Sequence, residues 1–289
     1  MICDAHVHFF SPGFFAGLKA SRDAVTALGF EFPASVEALA DRWLAELDAN
    51  GVARSALMAS LPGDADSVAQ AVARHPSRFV GFFMLDPTRD DAIEYATRAL
   101  DADLRTICLF PAMHKYALHD ERVAGVFELT ASRPGTAVFV HCGVLSVGIR
   151  QKLGLPSPFD IRFGNPLDLH GVALAFPSVP IVIPHFGAGM LREALMVASL
   201  CPNVWLDTSS SNSWIKQTPG LTIEQVLRTA LDVVGPERLL FGTDSSFFPR
   251  GWNRAIYDRQ ESALEGLGVT PADQQRIFGG NFTRLFPAA

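Results

Sequence analysis

Eight short apolar runs, rich in β-branched and aromatic residues, alternate along the chain with longer stretches of helical periodicity, and this alternation restricts the fold more than any other feature. The runs cover residues 2–8, 54–60, 79–85, 105–110, 136–142, 180–185, 203–208 and 238–243. Ser35, two residues before Glu37, opens a capped helix with apolar positions Leu39, Trp43, Leu44 and Leu47, which stops at Asn50-Gly51. Similar spacing occupies 65–75, 90–101, 120–132, 188–200, 222–234 and 253–267, and a last helix follows Pro271. Strand and helix in strict alternation predict parallel strands joined by crossover helices: an α/β fold, a (β/α)₈ barrel of the TIM type. An open doubly wound sheet would announce itself with a Gly-rich phosphate turn after its first strand, where this chain reads His6-Val7-His8-Phe9-Phe10.

The 289 residues, 48% of them hydrophobic, suffice for one such barrel, and no repeat or linker divides 1–289 into more than a single domain. With 24 basic against 30 acidic residues there is no positive field for a phosphate backbone, so nucleic acid is not an expected partner. The N-terminus lacks a charged segment followed by an apolar one, and nowhere do eighteen apolar residues run together; we expect a soluble, cytoplasmic protein without a membrane partner. Cys3, Cys108, Cys142 and Cys201 show no paired spacing and read as reduced thiols.

In a barrel the carboxyl ends of the strands face the active-site mouth. Four predicted ends carry metal-ligand types: Asp4-Ala5-His6-Val7-His8, Phe139-Val140-His141, Ile183-Pro184-His185 and Phe241-Gly242-Thr243-Asp244. Alternate residues of a strand share a face roughly 6.6 Å apart, so His6 and His8 can lean toward one ion. Alone, a His-x-His pair is more often an incidental polar face. Three further ends of ligand type turn the balance toward a divalent metal.

These pieces, with Val140-His141-Cys142-Gly143, Pro184-His185-Phe186-Gly187 and the closing Gly280-Asn281-Phe282, resemble the amidohydrolase superfamily, in particular the group of aminocarboxymuconate semialdehyde decarboxylase and its lactonase relatives. The resemblance spans the chain. It implies that His6, His8, His141 and Asp244 ligate one ion, zinc before manganese, and that His185 polarises water or substrate. Two-metal members carry a bridging Lys or Glu near the end of strand 4, where this chain reads Thr106-Ile107-Cys108-Leu109-Phe110-Pro111, so a single ion is expected. Cys108 could offer a thiolate, although an apolar-flanked cysteine is more often core.

Such an ion lowers the pKa of its water from about 15.7 to about 7, and Asp244 is placed to move the proton. Asp4, two residues before His6, is expected on the same strand face, either behind the ligands or, as readily, as a buried structural carboxylate. Substrate choice falls to the loops: Arg162 and Asn165 after strand 5, Arg250 after strand 8, His114 and Tyr116 after strand 4, and Trp214 after strand 7. Arg150 and Lys152 share the first of these loops. Guanidinium beside aromatic rings suits a small, carboxylate-bearing substrate. The leading expectation is hydrolysis of a lactone, ester or amide of a small organic acid; nonoxidative decarboxylation is the alternative, and a non-catalytic ligand-binding barrel the third. A homodimer is expected from general frequency and from the resemblance.

Overall fold

The β-branched and aromatic runs form strands wherever both faces can be buried, and the computed structural model, which describes residues 1–209 and 214–288, arranges eight of them in parallel. They are β1 (Ile2–Phe9), β2 (Val52–Ala59), β3 (Phe79–Leu85), β4 (Leu104–Leu109), β5 (Ala137–Val140), β6 (Ile181–Ile183), β7 (Val204–Asp207) and β8 (Leu239–Leu240). Strand order follows the sequence, β1 to β8. The last strand returns to the first through Ala5 N–H to Phe241 O (2.8 Å), Asp244 N–H to His6 O (2.9 Å) and His8 N–H to Ser245 O (2.7 Å). The chain is a single-domain (β/α)₈ barrel.

Between β1 and β2 the chain forms α1 (Pro12–Gly17), α2 (Arg22–Ala27) and α3 (Val36–Ala49). The Ser35 hydroxyl accepts from Ala38 N–H at 3.1 Å, the expected cap. Next come α4 (Ala65–Arg74), α5 (Ala92–Asp101), α6 (Pro111–His114) and α7 (Glu121–Ala131). The β5–β6 connection holds α8 (Gly148–Lys152) and α9 (Leu169–Ala175), and α10 (Leu191–Leu200) and α11 (Ile223–Val234) flank β7. After β8 follow α12 (Arg254–Gly266), α13 (Pro271–Gln275) and α14 (Asn281–Leu285). Asn281 donates to the carbonyls of Pro236 (2.7 Å) and Leu239 (2.8 Å), which pins α14 under β8 and gives the Gly-Asn-Phe motif a structural purpose. No helix among the described residues is long and apolar enough to cross a membrane.

Three packed regions position the site. Strand faces and helices share the largest core. A second fills the barrel, with Met58, Phe82, Phe139 and Cys108 inside and Phe282 and Phe286 of the C-terminal segment packed against them. A third, built on Phe14, Phe15, Leu18, Val25, Phe30 and Ile149, joins α1 and α2 to α8 above the mouth. These two short N-terminal helices were not expected from periodicity, since six residues complete too few turns to display it.

A register shift between Asp4 and Val7 corrects one expectation. Cys3 and Ala5 face the barrel interior, whereas Val7 and Phe9 join the outer core. The irregularity changes the parity, so His6 and His8 line the cavity while Asp4 does not share their face. Asp4 instead binds the seam: it accepts from His6 N–H (2.9 Å), Thr243 N–H (3.1 Å), the Thr243 hydroxyl (2.5 Å) and Trp252 Nε1 (2.7 Å). Burial pushes its carboxyl up to about 6 against those four donors.

Candidate metal centre

His6, His8 and Asp244 each place a ligand atom within 4.8 Å of the other two. Nε2 of His8 lies 3.0 Å and Nε2 of His6 3.7 Å from Asp244 Oδ1. Each imidazole is tied back through its other nitrogen. His6 Nδ1 meets Asp207 Oδ2 at 2.5 Å, and a carboxylate accepts, so this nitrogen holds the proton. The Ser60 hydroxyl donates to Met58 O (3.1 Å) and therefore accepts from His8 Nδ1 at 2.6 Å. Both Nε2 atoms are left to face the acid, the arrangement that fixes the tautomer of metal-binding histidines. Two nitrogens and a carboxylate oxygen suit zinc, with manganese compatible, and leave positions for water or substrate.

Burial opposes a charge on His6, but Asp207, with Asp244 and Asp4, outweighs it and raises the imidazole to about 9 in the metal-free protein. Burial would raise Asp244; His8, His6 and His185 together hold it well below the carboxylate range. Asp207 ends β7, inside the run expected at 203–208, and was not singled out from sequence. An aspartate at a strand end was the available signal.

His185 is buried, and burial lowers its pKa, so it is neutral near pH 7. Its Nδ1 lies 3.1 Å from the Ser209 carbonyl and 2.8 Å from the Ser209 hydroxyl. Donation to the carbonyl places the proton on Nδ1 and leaves Nε2 as the basic atom. Burial and the neighbouring histidines lower His141 well below the usual value. Its ring stands 5.4 Å from that of His185 and stacks on Phe110 at 5.3 Å. His141 lines the same cavity but lies outside the group of three, and its Nδ1 has no hydrogen-bond partner among the described residues.

Two glycines make these approaches sterically feasible. A Cβ on Gly143, at φ +73°, would fall 2.1 Å from the Gly187 carbonyl, where the loops carrying His141 and His185 cross. A Cβ on Gly242 would fall 2.7 Å from Asp207 Oδ1 and 2.9 Å from His6 Cβ. His185 (φ 54°) and Asp244 (φ 57°) both occupy the left-handed region. Strain of this kind at non-glycine residues concentrates where function holds a side chain in place.

The amidohydrolase family model matches residues 3–288. The chain belongs to the amidohydrolase family. Among curated proteins it is 25% identical over 256 residues to gamma-resorcylate decarboxylase of Polaromonas sp., covering 76% of this chain and 74% of that one. It is 33% identical over 103 residues to Protein fluG of Emericella nidulans, a match covering 35% of this chain but only 12% of that protein. Of solved structures, a zinc-bound amidohydrolase from Burkholderia multivorans superposes with TM-score 0.67 at 18% identity, all of both chains covered. A putative 2-pyrone-4,6-dicarboxylic acid hydrolase from Pseudomonas putida gives 0.65 at 19%, covering 99% and 97%. These likenesses establish the fold.

Above the ligands this amidohydrolase has a cavity of about 340 Å³, walled by rings such as Phe10, Phe14, Phe30, Phe110 and Phe247. Of the expected substrate residues, Arg250 lines it. Arg162 does not: its side chain is 85% exposed and paired with Asp160 at 2.5 Å, on its own loop. Asn165 is used as a cap, accepting from Leu167 N–H at 3.1 Å. His114 and Tyr116 stack on each other at 6.4 Å behind the wall, and Trp214 packs 6.4 Å from Phe186; none of the three lines the cavity. Arg150 and Lys152 of α8 do line it. Cys108 is buried in the barrel core, its thiol pushed well above the usual value by burial, and is not part of the ligand group.

Proposed function

We propose that the chain is a metal-dependent hydrolase of a lactone, ester or amide of a small organic acid. The carrying observation is the trio His6, His8 and Asp244, with both imidazoles oriented by acceptors on Nδ1, set beside a neutral His185 under an aromatic cavity. A divalent ion bound there supplies Lewis-acid polarisation of a carbonyl and acidifies water. In this reading His141 adds a further neutral donor. The Asp244 carboxylate accepts a proton from the attacking water and delivers it to the leaving group, while the neutral His185 accepts a hydrogen bond from that water through Nε2 and orients it. The aromatic wall excludes bulk solvent and orients the acyl group. The zinc in the Burkholderia structure and the lactone-type substrate in the name of the Pseudomonas one support the same reading.

Decarboxylation is the second reading, favoured by the relative from Polaromonas. Elemental analysis of the purified protein tests the metal, with about one ion per chain expected from the single trio among the described residues. A panel of lactones, esters and carboxylic acids then separates the reactions: acid release supports hydrolysis, and carbon dioxide release without acid release replaces it with decarboxylation. A protein without metal that turns over neither class is a binding barrel.

A further inference from the structure

Ser209 stands two residues beyond Asp207, the end of β7, and is fully buried. The residue between them faces the other way: the Thr208 hydroxyl donates to Gln260 Oε1 (2.6 Å), and Gln260 Nε2 donates to the Thr208 carbonyl (2.8 Å). Alternation along the strand therefore turns Asp207 and Ser209 together toward the histidines. The Ser209 N–H closes onto Asp207 Oδ1 at 2.6 Å, so the backbone here is fixed without help from the hydroxyl. That hydroxyl oxygen lies 2.8 Å from His185 Nδ1 and 3.3 Å from His6 Nδ1, and the two ring centres are 4.9 Å apart.

The protons on these atoms fix which way each bond runs. His6 Nδ1 directs its proton to Asp207 Oδ2 at 2.5 Å and has no lone pair left for the hydroxyl. His185 Nδ1 faces the Ser209 carbonyl at 3.1 Å, which can only accept, so this nitrogen also carries its proton and shares it with the hydroxyl oxygen. The hydroxyl proton is left for Asp207. Burial would raise the Asp207 carboxyl; the His6 charge, with hydrogen bonds from His6 and from the Ser209 side chain, holds it low. A chain of hydrogen bonds thus runs from His185 through the Ser209 hydroxyl to the carboxylate that holds His6 directly. We propose that Ser209 is a positioning residue for His185, holding its Nδ1 proton with hydroxyl and carbonyl together and relaying to that ring the pull of Asp207. A carboxylate set directly against an imidazole favours the charged ring, whereas a hydroxyl between them polarises the ring and leaves it neutral. Asp207 can therefore orient His6 while His185 remains the neutral acceptor that orients water. The inference rests on the hydrolase reading, in which that water attacks.

NMR of protein carrying isotope-labelled histidine, in excess zinc, tests this without turnover, His185 being identified by the signals lost in His185→Gln. The native ring should carry its proton on Nδ1, protected from exchange with water. Ser209→Ala removes only the hydroxyl and should fold; the Nδ1 proton should then exchange at least about tenfold faster, the loss of one hydrogen bond. Ser209→Thr keeps the hydroxyl and should restore the protection, and the Ala variant decides alone should the added methyl prevent folding. Asp207→Asn should shift the His185 Nε2 resonance, and by less than about half as much when Ser209→Ala is also present. Ser209→Ala should keep its zinc, while turnover of an ester or lactone falls roughly tenfold with KM little changed. Unchanged exchange in Ser209→Ala, a folded Ser209→Thr that behaves like it, or an Asp207→Asn shift of equal size with and without the hydroxyl overturns the relay. Zinc lost together with turnover in Ser209→Ala also overturns it, since Ser209 would then support His6 alone. Failure of the hydrolase reading looks different: no ester or lactone is cleaved, yet the protection of His185 and its coupling to Asp207 stand.

Discussion

His6 Nδ1 donates to Asp207 Oδ2 across 2.5 Å, joining the first strand of the barrel to the seventh beneath the metal ligands. The acid is fully buried and also accepts from Ser209 N–H at 2.6 Å, so it cannot turn away. Asp207→Asn should keep the shape but lose the charge that fixes the His6 tautomer. Metal affinity, measured by competition with a chromogenic chelator, should fall roughly 10- to 100-fold. Unchanged affinity would mean that His6 is oriented by packing alone.

The same pair sets a pH dependence. Metal-free His6 holds its extra proton up to about 9, and ligation requires the neutral ring. Binding at pH 7.5 should expel that proton, and the release should decline above about 9. Calorimetry in buffers of different ionisation enthalpy reads the proton count, and equal counts on both sides would rule this out. The sign for stability follows: the folded pKa is raised, so the pair stabilises the metal-free protein fully below the ordinary value of 6.5 and loses that contribution as pH rises through about 9. The melting temperature of metal-free protein should drop across this window, and the Asp207→Asn variant should lack the drop.

The two tasks proposed for Asp244, holding the ion and moving the proton, can be separated by substitution. Asn in its place keeps an oxygen for the ion but accepts no proton, so Asp244→Asn should retain much of the metal and lose on the order of 10²–10⁴ in turnover. His6→Ala should lose metal and activity together. Full metal with near-native turnover in Asp244→Asn would leave His185 as the base.

The two expected loop arginines should part company in steady-state kinetics on a confirmed acidic substrate. Arg162→Ala should change KM by less than about twofold, because its pair with Asp160 is an exposed surface contact. Arg250→Ala should raise KM by roughly tenfold or more, and Arg250→Lys nearly as much, since a lysine lacks the planar fork. Equal effects at both positions would place the anion elsewhere.

The barrel and its strand ends were readable because strand periodicity and histidine placement are local signals. His6, His8, His141, His185 and Asp244 all reach one cavity, as their positions at strand ends require. The face of Asp4 was not readable, because a register shift in β1 depends on how Thr243 and Trp252 approach from the far end of the chain. Nor was the difference between Arg162 and Arg250: each has its neighbour close by in the sequence, Asp160 or Phe247, but only the fold shows that Arg162 turns back on Asp160 outside the cavity while Arg250 lines it. β8 is only two residues long, and just beyond it Phe241 N–H turns to the Ile277 carbonyl (3.2 Å) and Thr243 N–H to the Asp4 carboxylate (3.1 Å).

The candidate ligands straddle the seam where β1 meets β8: His6 and His8 lie on the first strand, and Asp244 follows the eighth. A nascent chain therefore carries two imidazoles long before it has the carboxylate that completes the trio. The trio is complete only when the end of β8 has docked against β1. An ion held by the trio would be a clasp on the barrel's closing edge, and its removal should loosen that edge, Ala5 to Ser245, before any other part of the sheet.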